Sequence, residues 1–229
     1  MLLAIDTSTE VASVAIFDET RGEPWAECTW HSGRNHTREL LPEIDRLLAD
    51  CGVQRGDLTG LVVAIGPGSF NGLRVGLTTA KLLAFALVLP LVGVDTLRVS
   101  AQAFVLLGRP IRAMLDAGRG QICTARYVPQ GDILVEEEAP RIADLSELVA
   151  GPHLPTVFCG EIRPEWRAAI EQAWGDAAIF PTPGARLRRA AYLAELGWRD
   201  LRNGRVDNPV TLQPIYLRRP YVQLATPPA

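Results

Sequence analysis

The sequence predicts an α/β protein made of two related lobes, each a mixed sheet with flanking helices. Three observations carry that prediction. Strand-like and helix-like stretches alternate along the 229 residues, a glycine-rich loop joins a strand to a helix, and the opening of the chain is echoed near its middle. "LLAIDTSTEVASVAIF" can be laid on "RAMLDAGRGQICTARY" so that Asp6 falls on Asp116, each at the end of a strand that turns through small or polar residues and returns. The expected boundary places residues 1–108 in the first lobe and 109–229 in the second.

In chain order, "LLAIDTSTEVASVAIFD" reads as a strand, a polar turn from Thr7 to Glu10 and a second strand, with "PWAECTW" as a third, an antiparallel meander. From His36, the residues Leu40, Leu41, Ile44, Leu47, Leu48 and Cys51 recur at helical spacing, Pro42 falls near the first turns, and Gly52 stands where a C-terminal cap belongs. "LVVAIG" is a continuous apolar run of the kind a doubly buried strand needs, and a helix follows from about Phe70 to Leu89. In the second half "PTVFCG" reads as a strand, with helices over Glu165 to Trp174 and Ala185 to Asn203. Duplicated units of this kind with Asp at the first turn suggest the actin-like, sugar-kinase and Hsp70-like (ASKHA) fold, where a nucleotide normally sits between the halves.

Composition bounds the function. A formal net charge of −3 argues against a chain that binds nucleic acid alone. Eight arginines, Arg186, Arg188, Arg189, Arg199, Arg202, Arg205, Arg218 and Arg219, make the last fifth mildly basic, which reads as a solvated face before it reads as a nucleic-acid contact. Cys28, Cys51, Cys123 and Cys159 are scattered with no CxxC pair, as in a reducing compartment, and Asp6 interrupts the N-terminal apolar stretch before it could serve as a secretory core, so a cytoplasmic protein is expected. The longest apolar run, Leu82 to Val94, is too short to span a bilayer and contains Pro90; no membrane association is expected.

The loop "GPGSFNGLRVGLTTAK" raises the sharpest chemical question. A glycine-rich turn entering a helix gathers backbone N–H groups, so Gly66, Gly68, Ser69 and Gly72 could cradle a phosphate; equally, they could only let a strand turn into a helix, with Gly68 at positive φ. Gly72 is followed by Leu73 and Arg74, not Lys and Ser/Thr, and Asn71 stands where a dinucleotide fingerprint needs glycine, so neither common phosphate spelling is met. Asp6 could position a phosphate or water, or accept hydrogen bonds from its own turn. Ser8 and Ser69 fit turn and cap positions better than nucleophiles. His31 and His36 are five apart, off the shared face of an i, i+4 pair, and with His153 they complete the histidines, so no metal site and no catalytic residue is expected.

Together "MLLAIDTSTEVASVAIFD", "NHTRELLPEIDRLL", "GPGSFNGLRVGLTTAKLLA", "VGVDTL", "MLDAGRGQICTARY" and "LQPIYLR" resemble the TsaB family, densely over about the first 130 residues and thinly after Tyr127. Asn71 stands where that family usually has Thr, and Leu82 where it often has Gly. The resemblance implies an ASKHA fold without the histidine pair of its paralogue TsaD, and a scaffold or activator role in transferring a threonylcarbamoyl group to N6 of adenosine 37 in tRNAs reading codons that begin with A. It implies a TsaD-like catalytic partner, a TsaE-like ATPase and tRNA reached through the complex, with a homodimer when alone left open. No cofactor of its own is implied; ATP and threonylcarbamoyl-adenylate are used by the complex. The partner contact is expected on the N-terminal helices, at His36, Arg38, Leu40, Leu41, Ile44 and Arg74. Two enzyme readings stand as alternatives. A glycoprotease-like metallopeptidase lacks its histidine pair here, and an ASKHA small-molecule kinase lacks an adenosine-binding glycine pair, since the chain contains no GG dipeptide.

Overall fold

The computed structural model describes residues 1–151 and 153–218; Arg219 of the basic end and the residues after it lie outside them. The first half runs β1 (Leu2–Asp6), β2 (Val11–Asp18), β3 (Glu23–His31), α1 (His36–Asp50), β4 (Gly60–Gly66), α2 (Phe70–Leu87), β5 (Leu91–Asp95) and α3 (Thr96–Gln102). The second runs β6 (Ile111–Gly118), β7 (Gln121–Gln130), β8 (Ile133–Ala143), α4 (Leu145–Val149), β9 (Thr156–Gly160), α5 (Pro164–Trp174), β10 (Ala178–Ile179) and α6 (Ala190–Arg202). The two sheets have strand orders β3-β2-β1-β4-β5 and β8-β7-β6-β9-β10, the same plan twice. β1 is antiparallel to β2 and parallel to β4, just as β6 is antiparallel to β7 and parallel to β9. The internal echo read from sequence is therefore a duplicated topology.

Strand alternation distributes the core. Leu3 and Ile5 of β1 face α1 and α2, which supply Leu40, Ile44, Leu47, Leu77 and Ala80. Leu2 and Ala4 face the opposite way and meet Leu193, Ala194 and Leu196 of α6. In the second sheet Ile111, Ala113 and Leu115 pack on Leu97 and Ala101 of α3, while Met114 and Phe158 pack on Leu148, Trp166 and Ile170 of α4 and α5. Each sheet has two apolar faces, and the helices of its own half cover the outer one. The inner faces are covered by exchange: α6, from the second half, lies on the first sheet, and α3, from the first half, packs on the second. The expected boundary at 108/109 falls in the connection before β6, but in space the last helix of the chain sits with the first sheet.

α6 approaches so closely that a Cβ on Gly197 would stand 2.3 Å from Cγ1 of Val62. It begins at Ala190, not at the expected Ala185. Arg189 is extended, at φ −124° and ψ 135°, and this non-helical stretch lets the neighbouring Arg188 turn inward to the end of β1.

Candidate functional site

The Thr7–Glu10 turn and the glycine loop meet backbone to backbone. Ser69 N donates to the Ser8 carbonyl at 2.7 Å, and Thr7 Oγ1 donates to the Gly72 carbonyl at 2.8 Å. A Cβ on Gly68 would lie 2.2 Å from Ser8 O, and one on Gly72 would lie 2.1 Å from Thr7 O. These glycines are there because two stretches of main chain touch. The loop's positive φ belongs to Gly66, at 105°, and not to Gly68, so the constraint on Gly68 is steric. Ser69 caps α2, its Oγ accepting from Gly72 N at 3.3 Å. The loop packs against its own chain at the positions assigned to a phosphate cradle.

Asp6 is likewise engaged internally. Its Oδ1 accepts from Ser8 N at 2.8 Å and from Ser8 Oγ at 2.5 Å, and its Oδ2 accepts from Arg188 Nε at 2.5 Å. Arg188 also donates to Thr9 Oγ1 at 2.8 Å. Both partners of this ion pair are buried, so it locks the β1 turn to the start of α6. Asp6 is thus a structural anchor rather than a group presented to a ligand. Ser8 serves the turn, as its spacing suggested.

Between the lobes lies a cleft of about 600 Å³, reached by Glu10, His31 and the glycine loop from one side, by Asp116, Cys123 and Glu161 from the other, and by Tyr216 and Arg218 along its edge. Its carboxylates, Glu10, Asp116 and Glu161, outnumber its cations, and Arg218 is already donating to Ala117 O and Gln121 Oε1. Burial pushes the Cys123 thiol up to about 11, which leaves it protonated and unreactive at neutral pH.

The histidines do not converge. His31 is exposed beside Glu10, His153 lies against Trp174, and His36 is buried at the start of α1. Burial holds His36 below its ordinary value, against smaller opposing effects of Thr9, Glu39 and Asp6. Among the described residues no group of three or more His, Cys, Asp or Glu could hold a metal ion. No helix among them is long and apolar enough to cross a membrane.

The expected partner residues divide. His36, Leu40 and Ile44 are at most 5% exposed and pack inside their own lobe, because the inner stripe of α1 is consumed by the first sheet; as partner contacts they are corrected. Leu41 is 49% exposed and Arg38 also faces solvent. The neighbouring α2 adds Leu82 and Phe85, and Val88 follows at its C-terminal cap, at 65, 82 and 90% exposure. Arg74 is exposed too, on the same face of α2 as Phe85 but nearly three turns earlier, where the helix meets Gln213, Pro214 and Tyr216.

The basic end is mostly self-paired: Arg189 with Glu27, Arg199 with Asp132 and Glu195, Arg205 with Asp200 and Asp207, and Arg202 over Trp198. The Asp6–Arg188 pair spans 182 positions, and nothing local in the sequence distinguishes Arg188 from its neighbours. The Phe70–Tyr216 contact, with ring centroids 5.2 Å apart, was equally hidden.

Residues 31–178 match the family model described as "TsaD: tRNA N6-adenosine threonylcarbamoyltransferase". The tRNA threonylcarbamoyladenosine biosynthesis protein TsaB of Bacillus subtilis is 32% identical over 86% of both chains, and that of Escherichia coli is 37% identical over 76% of this chain and 74% of its own. The solved structure of YeaZ from Pseudomonas aeruginosa superposes with a TM-score of 0.77 at 26% identity, covering 94% of this chain and 99% of that one. A ROK family protein from Streptococcus pneumoniae, at TM-score 0.50 and 10% identity over 89% of this chain and 99% of its own, shares the fold alone. With the duplicated ASKHA topology, the meander turn locked on the glycine loop, and TsaB relatives matching most of its length, the chain belongs to the TsaB family.

Proposed function

We propose that this protein is the non-catalytic scaffold or activator subunit of the complex that forms threonylcarbamoyladenosine at N6 of adenosine 37 in tRNAs reading codons that begin with A. The observation that carries the reading is that the Asp6 turn and the glycine loop are engaged within the chain itself. Asp6 is spent on Arg188 and Ser8, and the glycine loop is packed against Thr7 and Ser8. What the chain offers outward is a helical face with Leu41, Leu82, Phe85 and Val88 in contact with solvent. Large apolar side chains clustered on adjacent helices are the material of a protein–protein contact.

In this reading the partner is a TsaD-like catalytic subunit, joined by a TsaE-like ATPase, and the free chain covers the same face by forming a homodimer. The chain holds no cofactor of its own; ATP and threonylcarbamoyl-adenylate serve the complex. The setting is the cytoplasm, where tRNA is processed and where four free thiols are stable.

Reconstitution tests this directly. Unmodified tRNA, threonylcarbamoyl-adenylate, the TsaD-like subunit and the ATPase are combined with and without this chain, and modified adenosine is counted by mass spectrometry. Modification is expected only when the chain is present, and the chain alone is expected to transfer nothing. Equal modification without it, or transfer by the chain alone, overturns the proposal.

A further inference from the structure

Phe70 and Tyr216 form a wall with a different concavity on each side. One is the carboxylate-rich cleft between the lobes. The other is a groove of about 280 Å³ along α2, lined by Phe70, Arg74, Thr78, Lys81, Gln213 and Tyr216 among others, with two cations and no carboxylate. Arg74 and Lys81 have no ion-pair partner among the described residues, unlike most arginines of the basic end. The Arg74 guanidinium stands 5.0 Å over the Phe70 ring, which holds it beside the aromatic pair. Both residues remain more than a third exposed. Exposed aromatic faces, cations fixed next to them, and a hydroxyl and an amide within the same groove are the components that take a nucleotide base and its phosphate.

We infer that this groove binds the RNA substrate directly, stacking an unpaired base on the Phe70–Tyr216 wall and setting the adjacent phosphates against Arg74 and Lys81. The choice of RNA rests on the proposed function; the choice of place rests on charge, since the groove carries two cations and no carboxylate whereas the cleft across the wall is lined by Glu10, Asp116 and Glu161. A protein with net charge −3 contributes to RNA binding through such a local patch rather than through its overall field.

The test uses the full chain assembled with its TsaD-like subunit and a labelled, unmodified tRNA transcript, with fluorescence anisotropy measured over a range of salt. Arg74→Gln combined with Lys81→Gln is expected to weaken binding about ten-fold and to flatten the dependence of log K on log salt by roughly one to two. Tyr216→Ala is expected to weaken binding about five-fold or more with the salt slope unchanged. Thermal melting checks that the variants stay folded, as substitutions at these partly exposed positions should.

Wild-type affinity and slope in both variants overturn the inference. So does loss of subunit assembly in the double variant with RNA affinity retained, which would assign the groove to an acidic segment of the partner. Binding of ATP to the isolated chain that disappears in the double variant, while tRNA affinity holds, would assign it to a free nucleotide and also overturns it. The two levels separate cleanly. A complex that binds tRNA through the groove but transfers nothing breaks only the functional reading, whereas one that modifies tRNA and binds it equally with both variants breaks only this inference.

Discussion

The first strand of each lobe ends in the same turn, set in opposite surroundings. Asp6 accepts from the N–H of Ser8, and Asp116 accepts from the N–H of Gly118, in both cases at 2.8 Å and two residues on. Each aspartate also pairs with an arginine from a distant element, Arg188 in one case and Arg163 in the other. Yet the first pair is buried and the second is open to water. The helical layers diverge in the same way. α1 and α2 span 15 and 18 residues and carry exposed apolar side chains, while α4 and α5 span 5 and 11 and expose no large hydrophobic residue. The two lobes share one topology, and the first is the one with its turn locked inside and its outer helices longer.

The largest effect expected from breaking this asymmetry is functional. Arg38→Glu with Leu41→Glu should abolish co-purification with the TsaD-like subunit and leave the melting temperature of the isolated chain unchanged, because both side chains are exposed on α1. Arg167→Glu on α5, the matching outer layer of the second lobe, should leave assembly intact. Assembly by the α1 double variant would place the interface elsewhere.

Next in size is the buried anchor. Arg188→Ala leaves Asp6 in the interior without its cation and should cost about 3–5 kcal/mol in urea unfolding. Arg163→Ala, whose pair is solvated, should give a superimposable unfolding curve. Similar losses in both would show that burial does not distinguish the two turns.

Smaller, and steric in origin, is the response of the glycine loop. Gly72→Ala forces a methyl against the Thr7 carbonyl and should destabilise by about 1–3 kcal/mol. Gly118, in the corresponding turn of the second lobe, has open space around it and positive φ at 71°, so Gly118→Asn should be tolerated better than Gly118→Val. If Gly72→Ala is neutral, the two backbones are not in contact.

An effect of at most similar size, and confined to one side of the pH range, concerns Asp95, the N-cap of α3, where the lobes join. Burial raises its carboxyl from 3.8 to about 6, with Glu136 adding to the rise and the N–H groups of Arg98 and Leu97 opposing it. The folded chain therefore holds that proton more tightly than the unfolded one. The stability Asp95 contributes is greatest below pH ~4, falls as pH rises to about 6 and is then constant. Asp95→Asn keeps a capping oxygen and should stabilise the protein above about pH 6 by up to roughly 3 kcal/mol, with no gain below pH ~4. An equal gain at both ends of that range would assign the effect to packing.

The meander, both α/β halves and the glycine loop's place between β4 and α2 were legible in the sequence. Period-two and period-3.6 apolar patterns are local, and turn residues act on their own backbone. The duplication was legible for the same reason, since Asp6 and Asp116 each shape a turn within a few residues. The helical stripe of α1 was visible too, but sequence could not say which of its residues face inward. Leu40 and Ile44 went to the core and Leu41 to the surface, because the first sheet covers one side of the helix and not the other.

Other features depended on where distant segments meet. Arg188 reaches Asp6 only because α6 crosses back over the first sheet, an exchange of helices between halves that no single stretch of sequence encodes. The contact between the glycine loop and the Thr7–Ser8 backbone was not legible, since the same spelling serves a phosphate or a close main-chain contact. The Phe70–Tyr216 wall joins residues far apart in the chain and depends on the course of the C-terminal segment, in which Ile215 N donates to Ile65 O at 2.7 Å. Sequence determines which side chains and turns are available, through short-range sterics and periodic burial. Tertiary packing decides which charges are neutralised and which surfaces stay open, because those depend on groups brought together from the two ends of the chain.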